Sequence, residues 1–407
     1  YMVQPIKKIA LLTGGGDCPG LNAVIRAITR AAILNYGIEV IGYRFGYKGL
    51  YHNNFMPLTM ETVTGILHRG GTILYSSNKD NLFNYMVEKN GVISKEDVSD
   101  VAIENMKKEG VDVLVVIGGD GTLTSARDFA RKGVNVIGVP KTIDNDLAST
   151  DVTFGFNTAI DVVTEALDRL HTTAESHHRI MLCEVMGRNA GWLTGATALA
   201  KTEECEGPDL IYLPEVPFDI DAFLSKIKDL LKEKKSIIVA VSEGIKLPDG
   251  RYVCELSGGG DYVDAFGHKQ LTGTAAYLAN FLGAEIGCKT RAVEFSTLQR
   301  SASHMASRVD INEAFMVGGA AVKAADEGDS GKMVVIDRVS DDPYMSAAGI
   351  YDVHKIANNE KTVPREWLNE TADYVTEEFI NYIEPLIQGD YPPFMVNGLP
   401  QHLVLKK

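Results

Sequence analysis

The sequence predicts an α/β fold built on largely parallel sheets, and three observations carry that reading. Apolar segments alternate with helix-period segments along most of the 407 residues. The apolar segments are rich in Ile, Val and Leu throughout, with no polar alternation, as strands covered on both faces must be. Glycine, 39 residues in all, clusters where these segments end. In open α/β sheets that is where ligands approach the backbone.

Residues 7–13 (KKIALLT) read as a buried strand, and 21–34 repeat apolar positions at helical spacing. Residues 112–117 and 135–139 are further strands, with a helix predicted over 157–170. The strand pattern returns at 179–186, 209–213, 236–242 and 291–298, and helices fit at 190–201, 219–235 and 271–286. The charge run 226–235 (KIKDLLKEKK) reads as the solvated face of a helix. Residues 246–264, with Gly258, Gly259 and Gly260, read as a loop insertion.

A chain of this length suggests two or three packed units, and 45% apolar with 23% charged residues excludes a disordered one. Lys and Arg number 40 against 54 Asp and Glu, a net charge of −14, which argues against nucleic-acid or membrane-surface binding. No apolar run approaches the roughly 18–20 residues of a membrane span. The five cysteines (Cys18, Cys183, Cys205, Cys254, Cys288) form no CxxC and no zinc spacing. With no leader-like segment at the start, the expectation is a cytoplasmic chain with free thiols.

Five motifs carry chemistry. Residues 13–22 (TGGGDCPGLN) follow a strand and open a helix, which aims backbone N–H groups at an anion. Neither Gly-Lys-Ser/Thr nor GxGxxG is present, and a tight strand-to-helix turn would also account for the loop. Residues 118–122 (GGDGT) repeat that geometry. There Asp120 is a hard oxygen ligand suited to Mg²⁺, which takes few protein ligands besides substrate phosphates. Several kinase superfamilies share such a loop. Residues 140–146 (PKTIDND) set two carboxylates two positions apart on a loop after a strand. One can accept a hydroxyl proton while the other orients the site or a metal. Residues 186–192 (MGRNAGW) place Arg188 at a strand end, where it can clamp a phosphate or serve as a surface ion pair. Glu243 ends another strand, and Arg291 and Arg300 bracket the segment 292–298. A carboxylate there can accept from sugar hydroxyls and the arginines can hold a phosphate.

In this order, GGDCPGLN, GGDGT, PKTIDND, MGRNAGW, SEG and TRA…LQR resemble one family, the phosphofructokinases, from Lys7 to about Val309. The resemblance implies two Rossmann-like three-layer domains with the active site in the cleft between them. Residues 1–150 with about 300–340 would bind the phosphoryl donor, 151–299 fructose 6-phosphate, and 341–407 would form a C-terminal extension. It implies Mg²⁺-dependent phosphoryl transfer to the 1-hydroxyl of fructose 6-phosphate. Gly16, Gly119, Asp120, Gly121 and Thr122 would hold the donor, with Asp120 on the metal. Asp144 would be the general base, supported by Thr142 and Asp146, and Arg188 would stabilise the transferring group. Met186, Gly187, Glu243, Thr297 and Arg300 would line the sugar phosphate. Arg179 and Arg291 match arginines that family members donate from a neighbouring subunit, which implies a homodimer or homotetramer with shared sites.

The chain departs from the short bacterial pattern. Asn78 stands where those members carry Arg, with Lys79 next door as a substitute. Thr297 stands where they carry His, and Ser301-Ala302-Ser303 follow Arg300 in place of Gly-Gly. Arg26 and Arg30 match two effector-site arginines, but Met60 and His171 occupy the positions of two others. Gly121 leaves room for the α-phosphate of ATP, where pyrophosphate-using relatives carry Asp. Lys141 is the residue those same relatives use to bind the leaving phosphate. A steric and charge block is harder to circumvent than an extra Lys, so ATP is the expected donor and pyrophosphate the alternative.

Overall fold

The structure, a computed structural model, describes residues 5–67, 69–257, 271–301, 306–355 and 360–401. Gly258, Gly259 and Gly260 of the expected insertion lie outside the described residues, as do Ala302 and Ser303. Two α/β sheets organise the chain, as the sequence predicts. The larger has seven strands. Five of them run parallel, in the spatial order Lys332–Asp341, Val136–Pro140, Val113–Gly118, Lys8–Thr13 and Glu39–Tyr43. Antiparallel strands Tyr344–Asp352 and Phe55–Leu58 close its two edges. The smaller sheet has four parallel strands, Thr290–Glu294, Ile180–Val185, Ile237–Ser242 and Leu210–Tyr212.

Burial follows the sequence pattern. Strands Val113–Gly118 and Ile180–Val185 are buried at every position, because helices cover both faces. Helices Leu21–Tyr36 and Arg308–Asp326 pack against each other under the large sheet, and Gly318 lets them approach, since a Cβ there would lie 2.8 Å from Ala27.

Several elements differ from expectation. The predicted strand 291–298 stops at Glu294, and a 3₁₀ turn Ser296–Gln299 follows with Ser296 at φ +44°. That turn re-aims Gln299 and Arg300. The strand is exposed along much of its length, unlike its neighbours, because it forms an edge of the small sheet. The helix predicted over 157–170 continues to His177, and that over 190–201 shortens to Trp192–Ala196 plus a 3₁₀ turn. The antiparallel hairpin Lys332–Asp341/Tyr344–Asp352, which periodicity did not reveal, runs across residue 341 and extends the large sheet.

Two buried carboxyls make stability depend on pH. Glu184, in the small sheet, accepts from the Ala275 amide at 2.9 Å, and burial pushes it up from 4.5 to about 7. Glu313 accepts from the Tyr344 hydroxyl at 2.6 Å and burial likewise pushes it up to about 7. Each keeps a proton when folded that the unfolded chain releases lower. Stability therefore falls as pH rises from the unfolded value of 4.5 toward 7. The melting temperature is expected to decline across that window and the Glu184→Gln chain to decline less steeply. An equally steep profile in that variant would contradict the assignment.

Candidate active site

The two sheets present the carboxyl ends of their strands to a common cleft. Residues 14–20, 119–122 and 141–147 follow three neighbouring strands of the large sheet, and 186–191, 243 and 295–301 follow strands of the small one. The glycine loops after Lys8–Thr13 and Val113–Gly118 straddle the point where strand order reverses, the usual ligand position in such sheets. The cavity measures about 460 Å³. Of the residues selected from sequence, Gly16, Asn78, Gly119, Asp120, Gly121, Thr122, Lys141, Thr142, Asp144, Asp146, Arg188, Thr297 and Arg300 line it.

The first glycine loop is held by backbone bonds from Gly14 to the Ile117 carbonyl (3.0 Å) and from Gly15 to the Ser77 carbonyl (3.3 Å). Gly15 sits at φ +83°, where a side chain would be strained. Lys141 is buried beneath the loop and donates from Nζ to the Gly16 carbonyl at 2.7 Å. Burial lowers its pKa, and the Arg300 charge adds to that effect. Across the cleft, the Arg300 guanidinium occupies the space a Cβ on Gly16 would need. Its Nε donates to Met186 Sδ at 3.2 Å. Arg300 thus reaches from the small sheet onto the first glycine loop.

On the 141–147 loop, the Asp144 amide donates to Thr142 Oγ1 at 3.1 Å, and Thr153 Oγ1 donates to the Thr142 carbonyl at 2.7 Å. Asp144 lines the cavity, and its Oδ1 is buried with no hydrogen-bond partner among the described residues. Glu243 accepts from the Gly187 amide at 3.4 Å. Its carboxyl is pushed up to about 7 by burial and by the Asp144 charge, while Arg300 and Arg188 oppose the rise. Glu243, Asp144, Arg188 and Arg300 are therefore electrostatic neighbours, although Glu243 is not among the residues lining the cavity. Gly187 has φ +141°, and a Cβ would lie 2.6 Å from the Ala190 carbonyl, so only glycine fits.

Other expected residues lie elsewhere. Lys79 is exposed off the cavity wall, its amide donating to Ser77 Oγ at 3.2 Å. Arg179 and Arg291 stand at the amino ends of adjacent strands, opposite the cleft, with Arg291 on the exposed edge of the small sheet. Arg26 and Arg30 are close on the first helix, where burial and then the Arg30 charge lower the Arg26 pKa.

Gly15, Asp17, Asn189, Ala190, Ser301 and Glu360 also line the cavity without having been selected from sequence. Asp17 and Asn189 sit inside recognised motifs, which was the available signal. Glu360 had none. Within one chain the lining of the cleft is not positive. Lys141, Arg188 and Arg300 face Asp17, Asp120, Asp144, Asp146 and Glu360. Burial and the Asp144 charge push Asp146 upward. This excess of hard oxygen donors suits a divalent cation. Among the described residues no group of three or more His, Cys, Asp or Glu is arranged to hold a metal. Mg²⁺ does not need one, since one or two carboxylates with substrate phosphates and water complete its shell.

Among the described residues no helix is long and apolar enough to cross a membrane. All five cysteines are free. A Clostridium perfringens protein named ATP-dependent 6-phosphofructokinase 2 is 69% identical over 254 residues, 62% of this chain and 68% of that protein. An Amycolatopsis methanolica protein named pyrophosphate–fructose 6-phosphate 1-phosphotransferase is 43% identical over 329 residues, 81% of this chain and 90% of that one. The crystal structure of a pyrophosphate-dependent phosphofructokinase from Nitrosospira multiformis matches with a TM-score of 0.83 at 26% identity, covering 99% and 98% of the two chains. The family model described as Phosphofructokinase matches residues 8–325, a span that holds all but one of the cleft-lining residues, and the chain belongs to the phosphofructokinase family.

Proposed function

We propose that this chain is an ATP-dependent 6-phosphofructokinase. It transfers the γ-phosphoryl group of ATP to the 1-hydroxyl of fructose 6-phosphate in the cleft between its two sheets. The observation that carries the reading is the position of Asp144. Asp144 lines a cavity walled on one side by two glycine loops and on the other by Arg188 and Arg300.

The backbone of Gly16, Gly119, Gly121 and Thr122 cradles the donor phosphates. Asp144 takes the proton of the sugar 1-hydroxyl as its oxygen forms a bond to the γ-phosphorus. The bond from that phosphorus to the β-bridging oxygen breaks, and ADP leaves. Arg188 neutralises charge on the transferring group. Asp120, with Asp146 behind it, would hold Mg²⁺, which when bound neutralises the donor phosphate oxygens. Glu243, Met186, Gly187, Thr297 and Arg300 hold the sugar phosphate. Arg179 and Arg291 serve the cleft of a neighbouring copy, since they stand at the amino ends of their strands, away from their own cleft, with Arg291 on the sheet edge. A homo-oligomer would bring in the positive charge that one cleft lacks. The working location is the cytoplasm, and no nucleic acid or membrane takes part.

A specific observation keeps a second donor in view. Lys141 lines the cavity, where it can bind the leaving phosphate of pyrophosphate. The acceptor is tested by incubating the chain with MgATP and fructose 6-phosphate, sedoheptulose 7-phosphate or NAD and identifying the phosphorylated product. Fructose 1,6-bisphosphate as the main product is expected. A product from NAD alone, or none with any acceptor, would overturn the reading.

A further inference from the structure

The stretch 360–382 stitches together the loops that carry Asp144 and Arg188. Asn145 is fully buried between Asp144 and Asp146 at φ +54°, a left-handed turn that few residues other than glycine adopt unaided. Its side chain is held at both ends. Nδ2 donates to the Tyr382 hydroxyl at 2.9 Å, and Lys361 Nζ donates to Oδ1 at 3.4 Å. Lys361 Nζ also donates to the carbonyls of Asp151 (2.6 Å) and Thr150 (3.1 Å), and the Tyr382 hydroxyl donates to the Asp151 carbonyl at 2.7 Å.

The backbone of the same residue spans the cleft floor. The Lys361 amide donates to the Asp146 carbonyl at 2.7 Å, and its carbonyl accepts from Trp192 Nε1 at 2.7 Å. One residue earlier, Glu360 accepts from Asn189 Nδ2 at 2.7 Å, beside Arg188. Two residues later, the Val363 amide donates to Glu215 Oε1, which also holds the Gly191 amide.

We propose that Lys361 is a positioning residue for phosphoryl transfer, its ammonium fixing the Asp144-Asn145-Asp146 turn while its backbone ties that turn to the Arg188–Trp192 loop. The inference rests on the function proposed above. The geometry supports it: the ammonium meets three oxygens, Asn145 Oδ1 and the carbonyls of Thr150 and Asp151. An ammonium stem of this kind is a costly tether unless it holds a geometry the reaction needs.

The test uses the full chain with Lys361→Met, which keeps the apolar stem, and Tyr382→Phe, which removes only the hydroxyl on Asn145 and Asp151. Wild-type turnover of fructose 6-phosphate with ATP and with pyrophosphate is the control. Lys361→Met is expected to lose about 10- to 100-fold in kcat, and Tyr382→Phe about 3- to 10-fold, because misplacing a reacting group by about 1 Å costs on that scale. KM for both substrates stays within about threefold, since the turn holds the base and not the phosphates. If both variants keep wild-type kcat below their melting temperatures, or lose rate only through KM, Lys361 is merely structural and the proposal fails. If Lys361→Met does not fold, the kcat of Tyr382→Phe decides alone. No wild-type turnover with either donor would overturn the functional reading and this inference with it.

Discussion

Asp144→Asn is expected to lower kcat with fructose 6-phosphate by about 10³-fold, within the range that removing a general base produces. The substitution keeps shape and hydrogen-bond geometry but removes the acceptor for the hydroxyl proton. Asp144 is placed for that role by its neighbours. Thr142 holds its amide, Lys361 and Tyr382 hold the next residue, and the side chain lines the cavity. Glu243 does not line the cavity and is pushed up to about 7, and burial together with Asp144 pushes Asp146 upward. Steady-state assays of the purified variant check this, with KM for fructose 6-phosphate expected within a few-fold of wild type. A kcat within tenfold of wild type would remove Asp144 from the base role.

Gly121→Asp is expected to cut turnover with ATP by at least about 100-fold while leaving fructose 6-phosphate binding intact. Gly121 lines the cavity one residue past Asp120, at the start of helix Asp120–Arg131. A carboxylate there would occupy the α-phosphate position. Two like charges about 4 Å apart at an effective dielectric near 20 repel by about 4 kcal/mol, equivalent to roughly a thousandfold. Pyrophosphate has no such group and escapes the clash. Lys141, already against the Gly16 carbonyl, stands ready to bind its leaving phosphate. Parallel rates with the two donors check this, and an unchanged ATP rate would sink the steric argument.

What the sequence revealed and what it hid follow from range. Each glycine loop is local: a strand, a turn and a helix start within a few residues, so composition and spacing carry the signal. The loops after Val113–Gly118, Val136–Pro140 and Ile180–Val185 were legible for that reason. The support beneath them was not. Lys361 reaches Asn145 across 216 residues and Tyr382 reaches it across 237, and neither carries a local pattern. The end of the strand at Glu294 was hidden because a positive φ at Ser296 leaves no mark in hydrophobicity. Glu360 enters the cleft from the far end of the chain and no local pattern marks it. Arg179 and Arg291, read from sequence as neighbours' residues, do lie away from their own cleft, on the strand pair Ile180–Val185 and Thr290–Glu294.

The most direct test of the account is a ³¹P NMR time course of the wild-type chain with fructose 6-phosphate, MgATP and Mg-pyrophosphate together in one tube. The account predicts that the γ-phosphate signal of ATP disappears, ADP and fructose 1,6-bisphosphate grow in step, and pyrophosphate persists. Loss of pyrophosphate to orthophosphate with ATP intact would show that Lys141 and not Gly121 sets the donor, and would contradict the central claim.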